Sequence, residues 1–521
     1  MTSKLIFLSR SDFHKALIDT NKSTTDKWDV VVSYSQDKLQ PLLTKYWSEV
    51  IGDTSVTVVH STGHSSYDRA TTYKLNLGPP QFEFDKKIVD GGSISMARIT
   101  WPFTGTAHTK LNTGVDVGEK TLTAEDGFST TVTTPIHAIS SGDDDKQAKF
   151  HPSHNVPVEY TNILQTSNHM IEFTDGTTSS YHVILQFASA EDTTWKVNVK
   201  NTSSDSAEDL QDSAADIGLE LNNQEKVKGF QFTLGEVKNT PNPADYVLTP
   251  QAFKFSADKG ILSIFIHVKG GDGKGAKEAP QFQLTHDSLI APMPDGYDAS
   301  IIISRRLIRD KYMIPQIQDK CKDFLRETDG VLARDGPLSP TVGLKFKNER
   351  VWSGFTTGPS IVVVTEGYVT VDWDKYPLIL ELFDDKSTLQ SHYKWTWDNA
   401  QVTLHYRYAT PRSGWLDWRT TSIQGSMSMN SSPVATVKNK DELEFKISFT
   451  DSNQPDASFN DIGPDKLGGS VQFKTFTMGL PDINFFRTQN ILAPGQQFIT
   501  AKDTMCPCDL FILGSVEEQK K

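Results

Sequence analysis

Two stretches of this chain echo each other, and together they limit what it can fold into. Residues 30–50 read VVVSYSQDKLQPLLTKYWSEV and residues 301–327 read IIISRRLIRDKYMIPQIQDKCKDFLRE. Val30-Val31-Val32-Ser33 matches Ile301-Ile302-Ile303-Ser304, and each match leads into an amphipathic run holding one proline. In the second run Leu307, Ile314, Ile317, Cys321 and Phe324 fall on one face of a helix, with Arg305, Arg306, Arg309, Lys320, Lys322 and Arg326 on the other. In the first, Leu39, Leu42, Leu43, Tyr46, Trp47 and Val50 form a wide apolar stripe. Ser33 and Gln36 have the spacing of a capping box, Pro41 calls for a kink or a helix start, and Gly52 is a natural stop.

Both runs are set in strand-like sequence. Before residue 301 the alternation of apolar and polar residues predicts strands at 56–58, at 73–77 and 82–84 on either side of a turn at Gly78-Pro79-Pro80, from 91 to near Pro102, at 158–164, 169–173, 181–187 and 195–199, and strand pairs at 230–234 and 253–268. GILSIFIHV (260–268) is apolar enough for a central strand. After the second run, strands are expected at 343–346, 360–371, 378–383, 393–397, 402–408, 424–429, 442–448, 470–477 and 510–513. The order is helix, many strands, helix, many strands: an α+β chain of two units, each offering one long helix to an antiparallel sheet. At 521 residues the chain is also too long for one ordinary core. The expected divisions are a loosely ordered N-terminal extension over 1–25, with a helical turn or two around 13–18, then domains over 26–290 and 291–521. The polar stretches 107–156 and 200–224 read as loops, the first with room for one hairpin and the second with room for a short exposed helix.

Composition removes several function classes. A formal charge of −13 does not offer the broad basic surface that a nucleic-acid partner needs. Three cysteines, Cys321 and the CPC pair Cys506 and Cys508, are too few for a disulfide scaffold, and the CPC pair lacks further ligands for a metal. No run approaches the ~20 apolar residues that span a bilayer, and the apolar run at 5–8 is short for a signal peptide. The expectation is a soluble protein, cytoplasmic or released without a signal peptide. GGDGKGAK (270–277) lacks the spacing of a phosphate loop. Asp143-Asp144-Asp145 lacks the alternating ligands of a calcium loop, and the pairs His60/His64 and His151/His154 lie in polar, turn-rich sequence. No catalytic residue, metal site or cofactor is expected. What remains is aromatic: 10 Trp, 14 Tyr and 28 Phe in a strand-rich chain with two wide-faced helices. A helix laid into a curved sheet encloses an elongated apolar space that suits an acyl chain.

Several stretches resemble one family. KWDVVVSYS (27–35), LGPPQFEF (77–84), IIISRRLIRDKYMIPQI (301–317), INFFRTQNILAPGQQFI (483–499) and CDLFILG (508–514) are similar, in order and spacing, to the clostridial neurotoxin-cluster accessory family named for its forty-seven-kilodalton member. That family resembles the tubular lipid-binding superfamily of the bactericidal permeability-increasing protein. The resemblance implies two elongated halves, each a highly curved antiparallel sheet wrapped around a long helix. It implies a non-enzymatic protein that binds a lipid or other apolar ligand, with sister accessory proteins or a toxin as further partners. By position the ligand-facing residues would be Leu39, Leu43, Tyr46, Trp47, Leu307, Ile314, Ile317 and Phe324. A scaffold with a self-filled core is the alternative expectation, and an enzyme acting on an apolar substrate in the tunnel is a third. The basic face of 304–326 would meet an anionic membrane surface peripherally, unless Asp310, Asp319 and Asp323 neutralise it.

Overall fold

The computed structural model describes residues 5–518 apart from 21, 51, 53, 64–67, 90–91, 141–164, 168–169, 174–178, 187–193, 199–212, 224–230, 240–248, 272–281, 283, 285–288, 324, 335–338, 348–351, 359–360, 386–387, 411–413, 416, 431–434, 440–441, 446–455, 460–468, 473–482 and 485–496. In chain order it begins with α1 (Arg10–Thr20), β1 (Val30–Ser35) and α2 (Gln36–Val50). Strands β2 (Thr54–Ser61), β3 (Arg69–Leu77), β4 (Gln81–Val89), β5 (Gly92–Leu111), β6 (Asp116–Leu122) and β7 (Ser129–Ser140) follow. Next come β8 (Gln165–Thr166), β9 (Ile171–Glu172), β10 (Ser179–Gln186), β11 (Thr194–Asn198), helix α3 (Ala214–Asn223), β12 (Gln231–Asn239), β13 (Pro250–Asp258) and β14 (Ile261–Val268). The later part opens with β15 (Ala299–Ile303) and helix α4, which passes from Arg305–Leu307 through a π-helical stretch Ile308–Met313 to Ile314–Cys321. Then come β16 (Val331–Ala333), β17 (Thr341–Leu344), β18 (Trp352–Gly358), β19 (Ile361–Val371), β20 (Leu378–Asp384), β21 (Ser391–Thr410), β22 (Gly414–Trp415) and β23 (Arg419–Asn430). Short strands β24 (Ala435–Asn439), β25 (Glu442–Phe445), β26 (Asp456–Phe459), β27 (Gly469–Gln472) and β28 (Ile483–Asn484) lead to the closing hairpin β29 (Gln497–Met505) and β30 (Leu510–Glu518).

The two echoing tetrapeptides meet at the centre of the molecule. In a seven-stranded antiparallel sheet of order β29-β30-β15-β1-β14-β13-β9, β1 lies beside β15 with Val30 opposite Ile303, Val31 opposite Ile302 and Val32 opposite Ile301. Hairpin β13–β14 flanks β1, and hairpin β29–β30 flanks β15 in the mirrored position. Each copy is followed by a helix, so connectivity repeats about the β1–β15 seam. Side chains alternate between the two faces of such a sheet. Val30, Val32, Ile264, Ile266, Ile301, Ile303, Leu510 and Ile512 turn one way into a large continuous apolar cluster shared with α2, α4 and the flanking sheets. Val31, Phe265, Ile302, Phe511 and Leu513 turn the other way into a second cluster covered by Phe13 and Leu17 of α1. Burial on both faces is why β14 reads as a largely apolar run, broken only by Ser263 and His267.

A ten-stranded sheet (β12-β10-β7-β5-β3-β2, with β4, β6, β8 and β11 paired alongside) follows α2, and an eight-stranded sheet built around β16-β17-β20-β21-β19-β18 follows α4. The chain is therefore β-rich, with several antiparallel sheets and few helices among the described residues.

Several local expectations are corrected. Ser33 does not cap α2: it is the fourth residue of β1, with its Oγ 2.8 Å from Ser263 Oγ, and the helix starts at Gln36 directly after the strand. The cap exists in the other copy, where Ser304 Oγ accepts from Leu307 N at 3.3 Å. The second helix ends at Cys321 instead of reaching 327, and Leu325 pairs with Phe346 in an isolated bridge. Its buried face is also displaced. Ile308, Tyr312 and Met313 are buried beside Leu307 and Ile317, because the π-helical stretch adds a residue to a turn and rotates the turn after it. Pro315 accounts for the wide turn, since its ring would clash with a carbonyl in a regular helix. The span 107–156 holds more strand than one hairpin: β5 continues through Pro102 to Leu111, and β6 and β7 follow. The extension over 1–25 contains eleven-residue α1, docked by buried Phe13, His14 and Leu17. The strand expected at 158–164 and the pairs His151/His154 and Asp143-Asp144-Asp145 lie outside the described residues.

Candidate functional site

Helix α2 has two sides of opposite character. Leu39, Leu43 and Trp47, four residues apart in turn, are at most 2% exposed and enter the main apolar cluster, with the Trp47 ring 6.4 Å from that of Trp101. Gln36, Asp37 and Gln40 border a groove of about 1030 Å³ instead. The groove floor is the outer face of β4, β5, β7 and β11, whose inner face carries buried Phe82, Phe84, Ile99, Val132 and Val197. Strand registers set the floor in rows: Gln81, Thr100, Thr131 and Lys196 in one, Glu83, Arg98 and Thr133 in the next, then Asp85 and Met96.

The floor is polar and of mixed charge. Asn198 Nδ2 donates to Thr131 Oγ1 at 2.7 Å, and Thr131 Oγ1 lies 3.0 Å from Thr100 Oγ1. Arg98 Nη2 sits 3.1 Å from Glu83 Oε2, and Lys86 Nζ lies 2.9 Å from Asp258 Oδ2 at the groove edge. Hydroxyls, amides and both signs of charge suit a polar or zwitterionic group, while the apolar core begins one residue layer below. Nothing in the spacing of these residues marked them in advance. The alternation of Gln81, Glu83 and Asp85 with Phe82 and Phe84 is legible as a strand with a polar face, but the floor draws on strands up to 117 residues apart in sequence, from Gln81 to Asn198.

The expected ligand-facing residues take these positions. Leu39, Leu43, Trp47, Leu307 and Ile317 are buried in the one apolar cluster, and Ile314 is half-buried against it. Tyr46 lies within α2, but its side chain is not among those described, and Phe324 lies outside the described residues. The basic face of α4 is partly consumed: Arg309 is 8% exposed, with Nε 2.6 Å from Asp310 Oδ1 and Nη1 donating to Arg334 O at 2.9 Å.

A second polar centre lies where α1 meets the end of β20 and the turn between β29 and β30. Buried Asp384 lies 2.7 Å from His14 Nε2 and accepts from Ser391 Oγ and from the Cys506 backbone N–H, each also at 2.7 Å. Asp509, equally buried, accepts from Thr24 N, Thr24 Oγ1, Ser23 Oγ and Arg305 N. The thiols of Cys506 and Cys508 are free. Burial, followed by the charge of Asp509, pushes the Cys508 thiol up to about 12, and burial followed by Asp384 pushes Cys506 up as well. Both are kept as inert thiols, the reverse of a nucleophile. His60 Nδ1 is 2.5 Å from Asp216 Oδ2 of α3, a bond between a sheet edge and a helix. Among the described residues no group of three or more His, Cys, Asp or Glu is arranged to hold a metal, and no helix is long and apolar enough to cross a membrane.

No family model and no curated protein matches the sequence. The fold is similar to solved structures of P47 from Clostridium botulinum A2 (10% identity, TM-score 0.40, covering 94% of this chain and 98% of that one) and P47 of Clostridium botulinum E1 (11% identity, TM-score 0.40, 94% and 99%). It is similar also to a lipopolysaccharide binding protein (9% identity, TM-score 0.24, 95% and 100%). These likenesses are to the same kinds of protein as the resemblance read from the sequence. At such TM-scores no residue role or ligand passes from those proteins to this chain.

Proposed function

We propose that this protein is a non-enzymatic binder of a lipid or another chain-bearing apolar ligand. The observation that carries the reading is the position of α2, with one side walling a groove of about 1030 Å³ and the other sunk in the apolar core. An amphiphile has the same two characters. Its head group would lie on the polar floor, and its chain would run along Leu39, Leu43 and Trp47. Burial at ~25 cal/mol per Å² makes an acyl chain covering ~300 Å² worth about 7 kcal/mol before ordering costs. On this reading each flanking sheet curves around its own helix, the halves are 26–290 and 291–521, and Leu307, Ile314 and Ile317 do in the second half what α2 does in the first. The sequence resemblance adds the setting, an accessory component of a toxin-type gene cluster. Native mass spectrometry and solvent extraction of the purified protein test the reading. A co-purifying or exchangeable lipid is the expected result, and a protein that carries none and takes none from mixed vesicles would overturn it.

One observation favours a second reading, a scaffold with a filled core that binds sister proteins. Leu39, Leu43, Trp47, Leu307 and Ile317 are all at most 2% exposed, as in a closed interior. Capture of neighbouring gene products by a protein that stays lipid-free would support that reading over the first.

A further inference from the structure

Strand β4 pairs with β5 alone among the described residues, so its other edge presents backbone groups that a further strand would ordinarily satisfy. Two side chains of α2 take that place. Phe82 N–H donates to Gln40 Oε1 at 2.9 Å, Phe84 N–H donates to Gln36 Oε1 at 2.8 Å, and Gln40 Nε2 donates to Pro80 O at 2.9 Å. The match is geometric. Four helical residues rise about 6 Å, and two strand residues advance about 6.7 Å, so glutamines at i and i+4 meet alternate N–H groups of one strand edge.

The seam closed in this way has the polar groove on one side, with Gln36 and Gln40 in its wall. On the other side stand Phe82, Phe84, Leu39 and Leu43, all buried in the main cluster. Beside it, β4 is joined to β5 and β5 to β7 by backbone ladders, which part only with loss of strand pairing. Here the helix can swing from the strand by releasing side-chain bonds, and those glutamine amides can turn to water or to a ligand head group. We propose that the α2–β4 seam is a lateral gate, latched by Gln36 and Gln40, through which a single-chain amphiphile such as a fatty acid or lysophospholipid slides its tail into the core while its head group stays in the groove. The seam is about one helical turn long, which admits one chain at a time. This rests on the binding function proposed above and adds the route and the class of ligand.

The test uses the full chain and a nitrobenzoxadiazole-labelled lysophospholipid. Gln40→Cys with Gln81→Cys, both groove-lining, is bridged by a short bismaleimide; Cys506 and Cys508 are buried, and wild type treated with the same reagent is the control. Bridging is expected to slow uptake and release of the probe at least tenfold. The Gln81→Cys variant carrying the reagent should match wild type, and the Gln40→Cys variant carrying it, which has lost one latch bond, should exchange probe no more slowly than wild type. Gln36→Ala with Gln40→Ala is expected to speed exchange severalfold. Wild-type exchange rates in the bridged protein would overturn the gate and leave the binding function standing. So would a double alanine variant that is less stable yet exchanges probe at the wild-type rate, since the glutamines would then be edge caps only. If unmodified wild type takes up no probe and carries no lipid, the binding function itself fails and the gate falls with it.

Discussion

Gly105 occupies a point where β5 is pressed between β3 and β6, opposite Leu75 on one side and Leu122 on the other. A Cβ there would stand 1.9 Å from the Lys74 carbonyl oxygen, at φ +155°. Backbone cannot step aside as a flexible side chain can, so Gly105→Ala is expected to cost on the order of 3 kcal/mol, read as a lowered urea midpoint. His182 offers a pH signature. Burial pushes its imidazole down from 6.5 to about 4, so the folded state binds its proton less tightly than the unfolded chain does. Stability from this group is then complete above about pH 6.5 and drains away as pH falls towards 4, by about 3 kcal/mol in all. Urea titrations at pH 7 and pH 4.5 should show the loss, and His182→Leu should shrink it, with His137 contributing in the same direction. In a Cys321→Ser background, Cys508 and Cys506 should resist a thiol reagent in the native protein at pH 8 and react fully in denaturant; rapid native labelling would contradict their burial. At this scale the sequence was legible where the pattern is local, as in the alternation of Gln81, Glu83 and Asp85 with Phe82 and Phe84. It was not legible for Gln36 and Gln40, whose partners lie about 45 residues away on a strand edge.

Helix α1 shows what periodicity conceals in a short element. Phe13 meets Phe511 edge-on at 5.8 Å and lies 6.4 Å from Phe282, Arg10 bonds Asp503, and His14 reaches Asp384. Its anchors therefore come from β20, β29, β30 and the chain before β15. Four apolar residues in eleven, Phe13, Ala16, Leu17 and Ile18, make a weak stripe, so the segment read as loose; its order comes from tertiary partners. His14→Ala would leave Asp384 with Ser391 and the Cys506 N–H and a hole where the ring was. About 2–3 kcal/mol of destabilisation is expected, with limited proteolysis cutting within 10–20 before the rest of the chain; unchanged cleavage there would show that the clasp is not what holds α1. Helix α4 is the opposite case, since its existence was plain from the apolar seam while its face was not. A π-helical turn ahead of Pro315 brings Ile308, Tyr312 and Met313 inward, and a strict helical repeat cannot foresee that.

For the whole molecule the decisive contact is β1 against β15. The echo of VVVS in IIIS was visible in the sequence, but its antiparallel pairing was not, because Val32 and its partner Ile301 lie 269 positions apart and nothing local encodes so distant a register. That pairing has a consequence for any division of the chain. A fragment ending at 290 would present the edge of β1 without β15, leaving Val30, Val31 and Val32 as an open apolar strand. A fragment starting at 291 would present Ile301, Ile302 and Ile303 in the same state, and would also lack the α1 helix that covers Phe511 and Leu513. Unpaired apolar edges of this kind recruit one another. Fragments 1–290 and 291–521 expressed separately are therefore expected to aggregate or to elute as large assemblies. Co-expressed, they should recover one another as a soluble one-to-one pair on size-exclusion chromatography. Two separately soluble monomers would mean that each half carries its own closed sheet, and the central seven strands would then be a docking interface between finished domains.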